Sequence, residues 1–260
     1  NNERVQFLGS AEQLQKRRIS ESTNAFYRIY RHGNTLRFPY YDSNGQVVGF
    51  KIKTKSKDFH YEGSSSDALF GQHLFPTSGK RIVITEGELD AASCYEVMSG
   101  WPMVSLPHGA AAAKKDLQKA IPFLQGYQEI VLFFDNDEAG REAVESATSI
   151  LPAGRVKIAR LDAYKDASDA LQADDKDAIR RAIWDAKPYR PDGIVDGKNL
   201  MSLVTEPTKT CDHEYPFMGL NDKLHGIRYG ELTTLTAGSG SGKTSLVRAI
   251  AADLAMKGET

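Results

Sequence analysis

The chain has 260 residues, of which 40% are apolar and 26% are charged, and its formal net charge is −1. This composition is typical of a globular protein with one large domain or two modest ones. It excludes a membrane span, because no apolar stretch approaches roughly 18 residues, and the sequence has no signal-peptide pattern. Two cysteines, Cys94 and Cys211, are too few for a disulfide framework or a cysteine-rich zinc site. We therefore expect an intracellular, reducing compartment.

Charge is distributed unevenly along the chain. Lys and Arg outnumber Asp and Glu before residue 82, and the balance reverses after it. A basic front beside an acidic remainder fits nucleic-acid binding next to a metal–phosphate site, although solvated charged surfaces give the same pattern. The chain begins with Asn1 and stops at Thr260 in a helical pattern, so we expect a fragment of a longer protein.

Residues 1–80 are predicted to form a basic subdomain of mixed α and β structure. A short helix is expected at residues 11–18 and a β-hairpin at residues 36–52, with its turn at residues 42–45. The second hairpin strand leads into four alternate lysines, Lys51, Lys53, Lys55 and Lys57. Alternate residues share one face of an extended strand, so these ammonium groups could hold triphosphates or a nucleic-acid backbone. A solvated edge strand protected by lysine explains the pattern equally well.

Residues 81–187 alternate between short apolar runs and helical patterns. The apolar runs predict parallel strands at residues 81–85, 103–106, 129–134 and 155–161. The helical patterns predict helices at residues 88–99, 113–124, 138–151 and 174–186. This succession is typical of a doubly wound α/β domain with a parallel sheet.

Acidic residues follow two of these strands where each strand ends. Glu86 comes directly after the first, and Asp135 and Asp137 come after the third. Ligands bind at the carboxyl ends of strands in open α/β sheets, where three carboxylates would repel one another without a cation. Hard oxygen ligands suit magnesium or manganese. The pattern predicts metal-dependent phosphoryl chemistry. As an alternative, Asp135 or Asn136 could simply cap the next helix, and Glu86 could lie beside a helix N-terminus because of the helix dipole.

Residues 188–215 are punctuated by proline and glycine and lack periodicity, so we predict an interdomain linker. A turn of helix at residues 200–204 is the one element expected in it. The next predicted strand is residues 232–236, followed by a Gly/Ser-rich loop and an amphipathic helix at residues 245–257.

A strand, a glycine-rich loop and a helix in this order predict a phosphate-binding P-loop. Backbone amides would cradle the phosphates, Lys243 would reach the β- and γ-phosphates, and Thr244 would hold magnesium. The predicted nucleotide-binding residues are Gly238, Gly240, Gly242, Lys243 and Thr244. The chain stops too soon after this loop to include a Walker B acid, so we do not expect it to hydrolyse ATP alone.

Two motifs resemble the TOPRIM signature of primases, topoisomerases and some nucleases: TEGELD at residues 85–90 and FDNDEAGR at residues 134–141. Further segments look like the bifunctional primase-helicases of short-tailed bacteriophages, to which the mitochondrial helicase Twinkle is related. These segments are residues 16–23, 66–71, 104–110 and 219–223. The resemblance covers essentially the whole chain.

This resemblance implies a TOPRIM domain at residues 81–187, a linker at 188–215 and, at 216–260, the first strand and helix of a RecA-like helicase domain. The basic subdomain, residues 1–80, would bind template and nucleotide. The acidic metal-site positions, also expected to be catalytic, are Glu86, Asp135, Asp137 and Asp166. Lys51 and Lys57 match family lysines near the bound nucleotide.

The implied activity is that of a DNA primase, which makes short RNA primers on single-stranded DNA by metal-dependent nucleotidyl transfer. Two Mg²⁺ or Mn²⁺ ions would assist, ribonucleoside triphosphates would be the substrates, and the full-length protein would bind ATP or a dTTP-type nucleotide at the P-loop. Glu86 would ligate metal or act as a base or orienting group. His108 and Arg141 are equally explained by structural contacts, a loop hydrogen bond and an ion pair.

Partners are implied by the same resemblance. They are the DNA template, the replicative DNA polymerase and a single-strand binding protein, in the cytoplasm of a phage-infected bacterium and without a membrane. The full-length protein would form a hexameric ring, whereas a fragment could be monomeric.

Other functions stay open at the level of sequence. A silent TOPRIM front end would bind single-stranded DNA for a Twinkle-like helicase, but intact carboxylates at all four acidic positions argue against it. A topoisomerase needs a nucleophilic tyrosine on a separate DNA-gating domain, for which there is no room; a TOPRIM nuclease would nick plasmid DNA. A free-standing P-loop ATPase lacks its acidic motif.

Overall fold

The computed structural model of the protein describes residues 7–42, 45–56, 58–64, 67–189, 205 and 211–259. The chain divides into two units, residues 1–192 and residues 193–260. The predictions for Lys57, for the helical turn at 200–204 and for most of the linker lie outside the described residues.

The first unit contains two β-sheets and the helices that pack on them. Its strands are β1 (Tyr30–His32), β2 (Thr35–Tyr41), β3 (Val47–Lys53), β4 (Phe59–Gly63), β5 (Gly79–Thr85), β6 (Met103–Ser105), β7 (Tyr127–Phe133), β8 (Val156–Ile158) and β9 (Lys187–Pro188). Its α-helices are α1 (Glu21–Tyr27), α2 (Glu88–Val97), α3 (Ala113–Leu124), α4 (Glu138–Thr148), α5 (Ala167–Gln172) and α6 (Lys176–Trp184).

The front sheet is antiparallel in the order β1-β2-β3-β4. The predicted hairpin is confirmed, with β2 paired to β3 and the Asp42 carboxylate accepting a 2.9 Å hydrogen bond from the Gln46 amide in the turn. Strand β3 ends at Lys53, and Lys55 lies in the turn that leads to β4. The predicted row of lysines on one extended strand is therefore wrong at Lys55, because the chain turns there.

The N-terminal helix lies later than predicted. Residues 11–18 contain only a 3-10 turn at Gln15–Arg17, and the α-helix begins at Glu21. The Ser20 side chain caps it by accepting a hydrogen bond from the Thr23 amide at 3.3 Å. The helical prediction for residues 11–18 was wrong because the Leu14 amide bonds the Ile19 carbonyl at 2.9 Å, which closes a tight loop instead.

The second sheet has the order β6-β5-β7-β8-β9 and is parallel except for the antiparallel edge strand β9. Both of its faces are buried. Ile82 and Ile130 pack in a cluster with residues of α3 and α4, and Val83 and Val131 pack in a second cluster with residues of α2, α5 and α6. This confirms the doubly wound α/β prediction and explains why its strands are continuous apolar runs.

Element bounds differ from the predictions after β7. Strand β8 covers Val156–Ile158 rather than residues 155–161, and the helix expected at 174–186 is preceded by an unpredicted one, α5. Asp174, in the left-handed region with φ of 66°, separates α5 from α6. Asp166 follows a loop and is the N-cap of α5.

The two sheets share a hydrophobic core. Phe38 and Tyr40 of β2 lie in the same buried cluster as Val83 of β5. The buried Tyr27 hydroxyl donates a 2.7 Å hydrogen bond to the Met103 carbonyl. The boundary at residue 80 thus marks a change of sheet within one unit, and the domain limits at 80, 187 and 215 stay predictions.

The second unit contains α7 (Met218–Leu224) and α8 (Lys243–Met256). The helix after the glycine-rich loop is confirmed, but it begins two residues earlier than predicted and none of its side chains is buried. The strand expected at 232–236 is not formed in the described residues: a strand needs a hydrogen-bonded neighbour, none is paired with it, and Leu232 is 94% exposed. In the described parts of both units, no helix is both long and apolar enough to span a bilayer.

Candidate active site

Three carboxylates converge at the carboxyl end of the second sheet. Asp135 follows β7, Asp166 caps α5, and Asp90 lies in the first turn of α2. One oxygen from each lies within 4.8 Å of the others. Hydrogen bonds hold the loops together, since the Asn136 amide donates to the Lys165 carbonyl at 2.8 Å. The group is therefore built by the fold rather than by one stretch of sequence.

Asp90 was not predicted as a site residue, although it lies in the first TOPRIM motif. Its place in that motif, in the first turn of the helix that follows β5, was the one usable signal. The Ser168 amide donates to the Asp90 carboxylate at 2.9 Å, which ties α5 to α2. This contact joins segments far apart in the chain, so no local sequence pattern predicts it.

Burial and the charges of neighbouring carboxylates disfavour the ionised forms of Asp135 and Asp90. The pKa of Asp135 rises to about 6, mainly through burial and then through the charges of Glu86 and Asp166. The pKa of Asp90 is raised well above its ordinary value by burial and next by Asp166. For both residues, a nearby divalent cation would stabilise the ionised carboxylate.

Glu86 lies beside this group. Its pKa is raised, first by burial and then by Asp137, and hydrogen bonds from the backbone of Ala110 and Asp135 oppose the rise. The Oε2 atom is buried without a hydrogen-bond partner among the described residues. A buried orphan carboxylate oxygen beside three converging carboxylates fits the donor set of a hard cation.

Asp137 lies outside the converging group. It caps α4 by accepting a 3.0 Å hydrogen bond from the Gly140 amide, and its carboxylate lies 3.0 Å from the Lys165 ammonium. Lys165 also lies 3.3 Å from Asp135. The Gly140 amide, and then Lys165, hold the pKa of Asp137 below its usual range. The residue that caps α4 is thus Asp137, and not Asp135 or Asn136 as the alternative explanation of the motif expected.

Gly140 allows α4 to start directly beneath Asp135. A Cβ atom at this position would lie 2.0 Å from the Asp135 carbonyl oxygen. No rotamer relieves a clash with backbone, so the helix or the strand end would have to move.

We expect Gly140→Ala to lower the free energy of unfolding by about 2 kcal/mol, measured by urea denaturation. The sign is diagnostic, because alanine in a helix ordinarily stabilises by up to ~1 kcal/mol relative to glycine. Glu142→Ala, on the exposed face of α4, is the control and should leave stability nearly unchanged. Equal or greater stability of Gly140→Ala would show that the close approach is not required.

Lys51 of β3 is buried at the junction of the two sheets. Its ammonium lies 2.8 Å from the Glu88 carboxylate and donates to the Pro107 carbonyl at 3.0 Å. The Tyr40 hydroxyl donates to the same Glu88 oxygen at 2.6 Å. The lysine is fixed by these contacts, and its role towards a nucleotide stays a prediction.

The structure gives His108 and Arg141 structural partners. The His108 Nδ1 atom lies 2.9 Å from Asp116, whose carboxylate also accepts from the His108 amide at 3.2 Å. Arg141 forms an exposed ion pair with Glu138 at 3.2 Å. These contacts match the structural alternatives, a loop hydrogen bond and an ion pair.

The glycine-rich loop lies in the second unit and contains two glycines with positive φ angles. Gly240 and Gly242 have φ angles of 78° and 90°, which favour glycine. The Lys243 ammonium donates to the carbonyls of Ala237 and Gly238 at 2.7 and 2.8 Å. Nucleotide binding by this loop, including Thr244, stays a prediction.

Comparison with known proteins identifies the family. Residues 83–171 match the family model described as Toprim-like. The DNA helicase/primase of Enterobacteria phage T3 is 41% identical over 92% of this chain, which spans 44% of that protein. The primase fragment of the bacteriophage T7 primase-helicase is 38% identical, with a TM-score of 0.64 over 68% of this chain and 75% of that fragment. The chain belongs to the bacteriophage primase-helicases.

A second solved primase-helicase structure adds context. In it, bacteriophage T7 lagging-strand DNA polymerase interacts with primase domains of two subunits bound to an RNA/DNA hybrid and dTTP. This chain is 37% identical to the matched chain, with a TM-score of 0.64 over 70% of this chain and 93% of that one. The family resemblance inferred from the motifs is thereby confirmed. The chain spans less than half the length of the T3 relative.

Proposed function

We propose that this chain is the DNA primase part of a phage primase-helicase and makes short RNA primers on single-stranded DNA. The observation that supports this best is the convergence of Asp90, Asp135 and Asp166 beside Glu86, in a chain with extensive identity to the T7 primase fragment. The two sheets share a core, and Lys51 of the front sheet lies 2.8 Å from Glu88, which shares the first turn of α2 with Asp90.

The reaction joins two ribonucleotides. The 3′-hydroxyl of one loses its proton to a base or to water, and its oxygen forms a bond to the α-phosphorus of the next. The bond from that phosphorus to the oxygen that bridges to the β-phosphate breaks, and pyrophosphate leaves. Asp90, Asp135 and Asp166 would hold Mg²⁺ or Mn²⁺, with Glu86 as a further ligand or as an orienting base. When bound, such ions lower the pKa of the attacking hydroxyl and neutralise charge on the triphosphate; the number of ions, two by resemblance, stays a prediction.

The chain's own residues support this chemistry in three ways. Asn136 fixes the loop that carries Asp135, and Asp137 caps α4 and binds Lys165, which neutralises part of the acidic charge. Lys51 of the front sheet, and Lys57 by resemblance to the family, would offset phosphate charge. The template would be single-stranded DNA and a replicative polymerase would take over the primer, as the T7 complex suggests by analogy.

The test is primer synthesis by the 260-residue chain on mixed-sequence single-stranded DNA, with labelled ribonucleoside triphosphates and either metal. We expect short RNA products that disappear when EDTA is added. No RNA from folded protein that still binds single-stranded DNA would favour a silent front end for a helicase. Nicking of supercoiled plasmid would instead favour a nuclease.

A further inference from the structure

The front sheet exposes two aromatic rings on its edge strand. In the antiparallel pair of β3 and β4, Lys51 lies opposite Tyr61, and Lys53 lies opposite Phe59. Directly opposite residues share a face of a sheet, so all four side chains lie on one side. Phe59 is 47% exposed and Tyr61 is 41% exposed, which is unusual for two neighbouring aromatic side chains in one strand.

This face borders the acidic group. The Lys53 ammonium lies 5.1 Å from the centre of the Phe59 ring. Burial, and then Arg17, lower the pKa of Lys53, while the charges of Glu88 and Asp90 oppose the shift. On the same face the Lys51 ammonium lies 2.8 Å from the carboxylate of Glu88, which shares the first turn of α2 with Asp90.

The Tyr61 ring is held in place by the loop that follows β6. Its hydroxyl donates a 2.9 Å hydrogen bond to the Pro107 carbonyl, which also accepts from Lys51. The same loop leads to Ala110, whose backbone hydrogen-bonds to Glu86. Because the ring is already held in place, it loses little conformational entropy when a flat ligand stacks on it.

Two rings on alternate residues of a strand lie about 7 Å apart. This spacing suits neighbouring bases of an extended polynucleotide, whereas a mononucleotide would need only one ring. Aromatic side chains beside lysines are the usual means of binding single strands without reading their sequence. We propose that Phe59 and Tyr61 are a stacking platform for two neighbouring unpaired bases of single-stranded DNA, with Lys53 contacting a phosphate. This rests on the proposed function, since it would be the template strand that is held there.

The test is equilibrium binding of fluorescein-labelled oligo(dT) to the full chain by fluorescence anisotropy, without metal or ribonucleotides. We expect Tyr61→Leu to raise Kd about tenfold, the usual loss for one stacked base. Tyr61→Phe keeps the ring but loses the bond to Pro107, and we expect it to bind within about twofold of wild type. An oligonucleotide of abasic sites offers phosphates only, so Tyr61→Leu should bind it as wild type does.

The outcomes separate the competing explanations. Equal weakening by Tyr61→Phe and Tyr61→Leu would show that the hydroxyl only positions the loop, and wild-type binding by Tyr61→Leu would show that the ring does not stack; either result overturns the platform. Weakened binding of a fluorescent ATP analogue with unchanged oligo(dT) binding would overturn it in favour of a nucleotide subsite. Phe59→Leu replaces Tyr61→Leu if the latter does not fold, as judged by circular dichroism.

This measurement is independent of catalysis. A chain that binds oligo(dT) through Tyr61 but makes no RNA would contradict the primase proposal and leave the platform intact. A chain that makes primers but binds oligo(dT) equally well without the ring would support the primase proposal and contradict the stacking platform.

Discussion

Asp135→Asn is expected to reduce primer synthesis at least about a thousandfold, equivalent to ~4 kcal/mol of transition-state stabilisation, and to leave the fold intact. Asp135 belongs to the converging group, and its pKa is raised to about 6 by burial, Glu86 and Asp166. The substitution keeps the size of the side chain and removes the negative charge that would hold a cation. In the absence of metal, the folded variant should be at least as stable as wild type, because the folded state disfavours ionised Asp135 at neutral pH.

Two measurements, one of activity and one of stability, separate a loss of catalysis from a loss of folding. Labelled ribonucleotide incorporation measures activity, and urea denaturation in EDTA measures stability. Asp169→Asn is the matched control, because Asp169 is exposed in the first turn of α5 and lies outside the converging group. Folded Asp135→Asn that makes primers at the wild-type rate would remove this residue from catalysis.

The sequence was sufficient to predict those features of the fold and the site that depend on residues close together in the chain. Continuous apolar runs in β5 and β7 predicted buried parallel strands, and the residues after them, Glu86 and Asp135, were found at the same edge of one sheet. The rule that ligands bind at the carboxyl ends of strands needs only the strands and their direction. The hairpin of β2 and β3 was equally accessible, because its turn residues and alternation are local signals.

The sequence was insufficient where contacts join distant segments. Asp90 belongs to the converging group because Ser168 and Asp166 pack against α2. The periodicity of the sequence does not predict this contact. The strand predicted at residues 232–236 has a suitable composition, but strand formation depends on a partner and not on propensity alone. The contact of the buried Lys51 ammonium with Glu88 could not be predicted from the row of alternate lysines, and the role of Lys51 towards a nucleotide stays a prediction.

That buried pair leads to the second large effect. Glu88→Gln is expected to lower the free energy of unfolding by about 3 kcal/mol, because it leaves the Lys51 ammonium buried without its counter-charge. Both side chains are nearly inaccessible, with 10% of Lys51 and 5% of Glu88 exposed, so water cannot replace the carboxylate. Glutamine retains the size of the side chain and can still accept from the Tyr40 hydroxyl, so the loss reports charge rather than shape.

The double variant Glu88→Gln, Lys51→Met should recover most of this stability. Methionine fills the space of the lysine stem without a charge, and removing both partners of a buried pair is often nearly neutral. The Pro107 carbonyl keeps the Tyr61 hydroxyl as a donor after the lysine is removed. We therefore expect the double variant to be more stable than the sum of the single changes by at least ~2 kcal/mol in urea denaturation, a coupling typical of contacting residues. Glu138→Gln, which breaks the exposed pair with Arg141, is the control and should cost less than ~1 kcal/mol.

The stable double variant also separates the structural role of Lys51 from its proposed role at the nucleotide. If the ammonium serves only to pair with Glu88, a double variant that folds as well as wild type should make primers at the wild-type rate. If it also offsets triphosphate charge, as proposed, the same protein should make primers more slowly and need more ribonucleotide to reach half its maximal rate. Additive single effects, with no recovery in the double variant, would instead show that Lys51 and Glu88 stabilise the junction of the two sheets independently of each other.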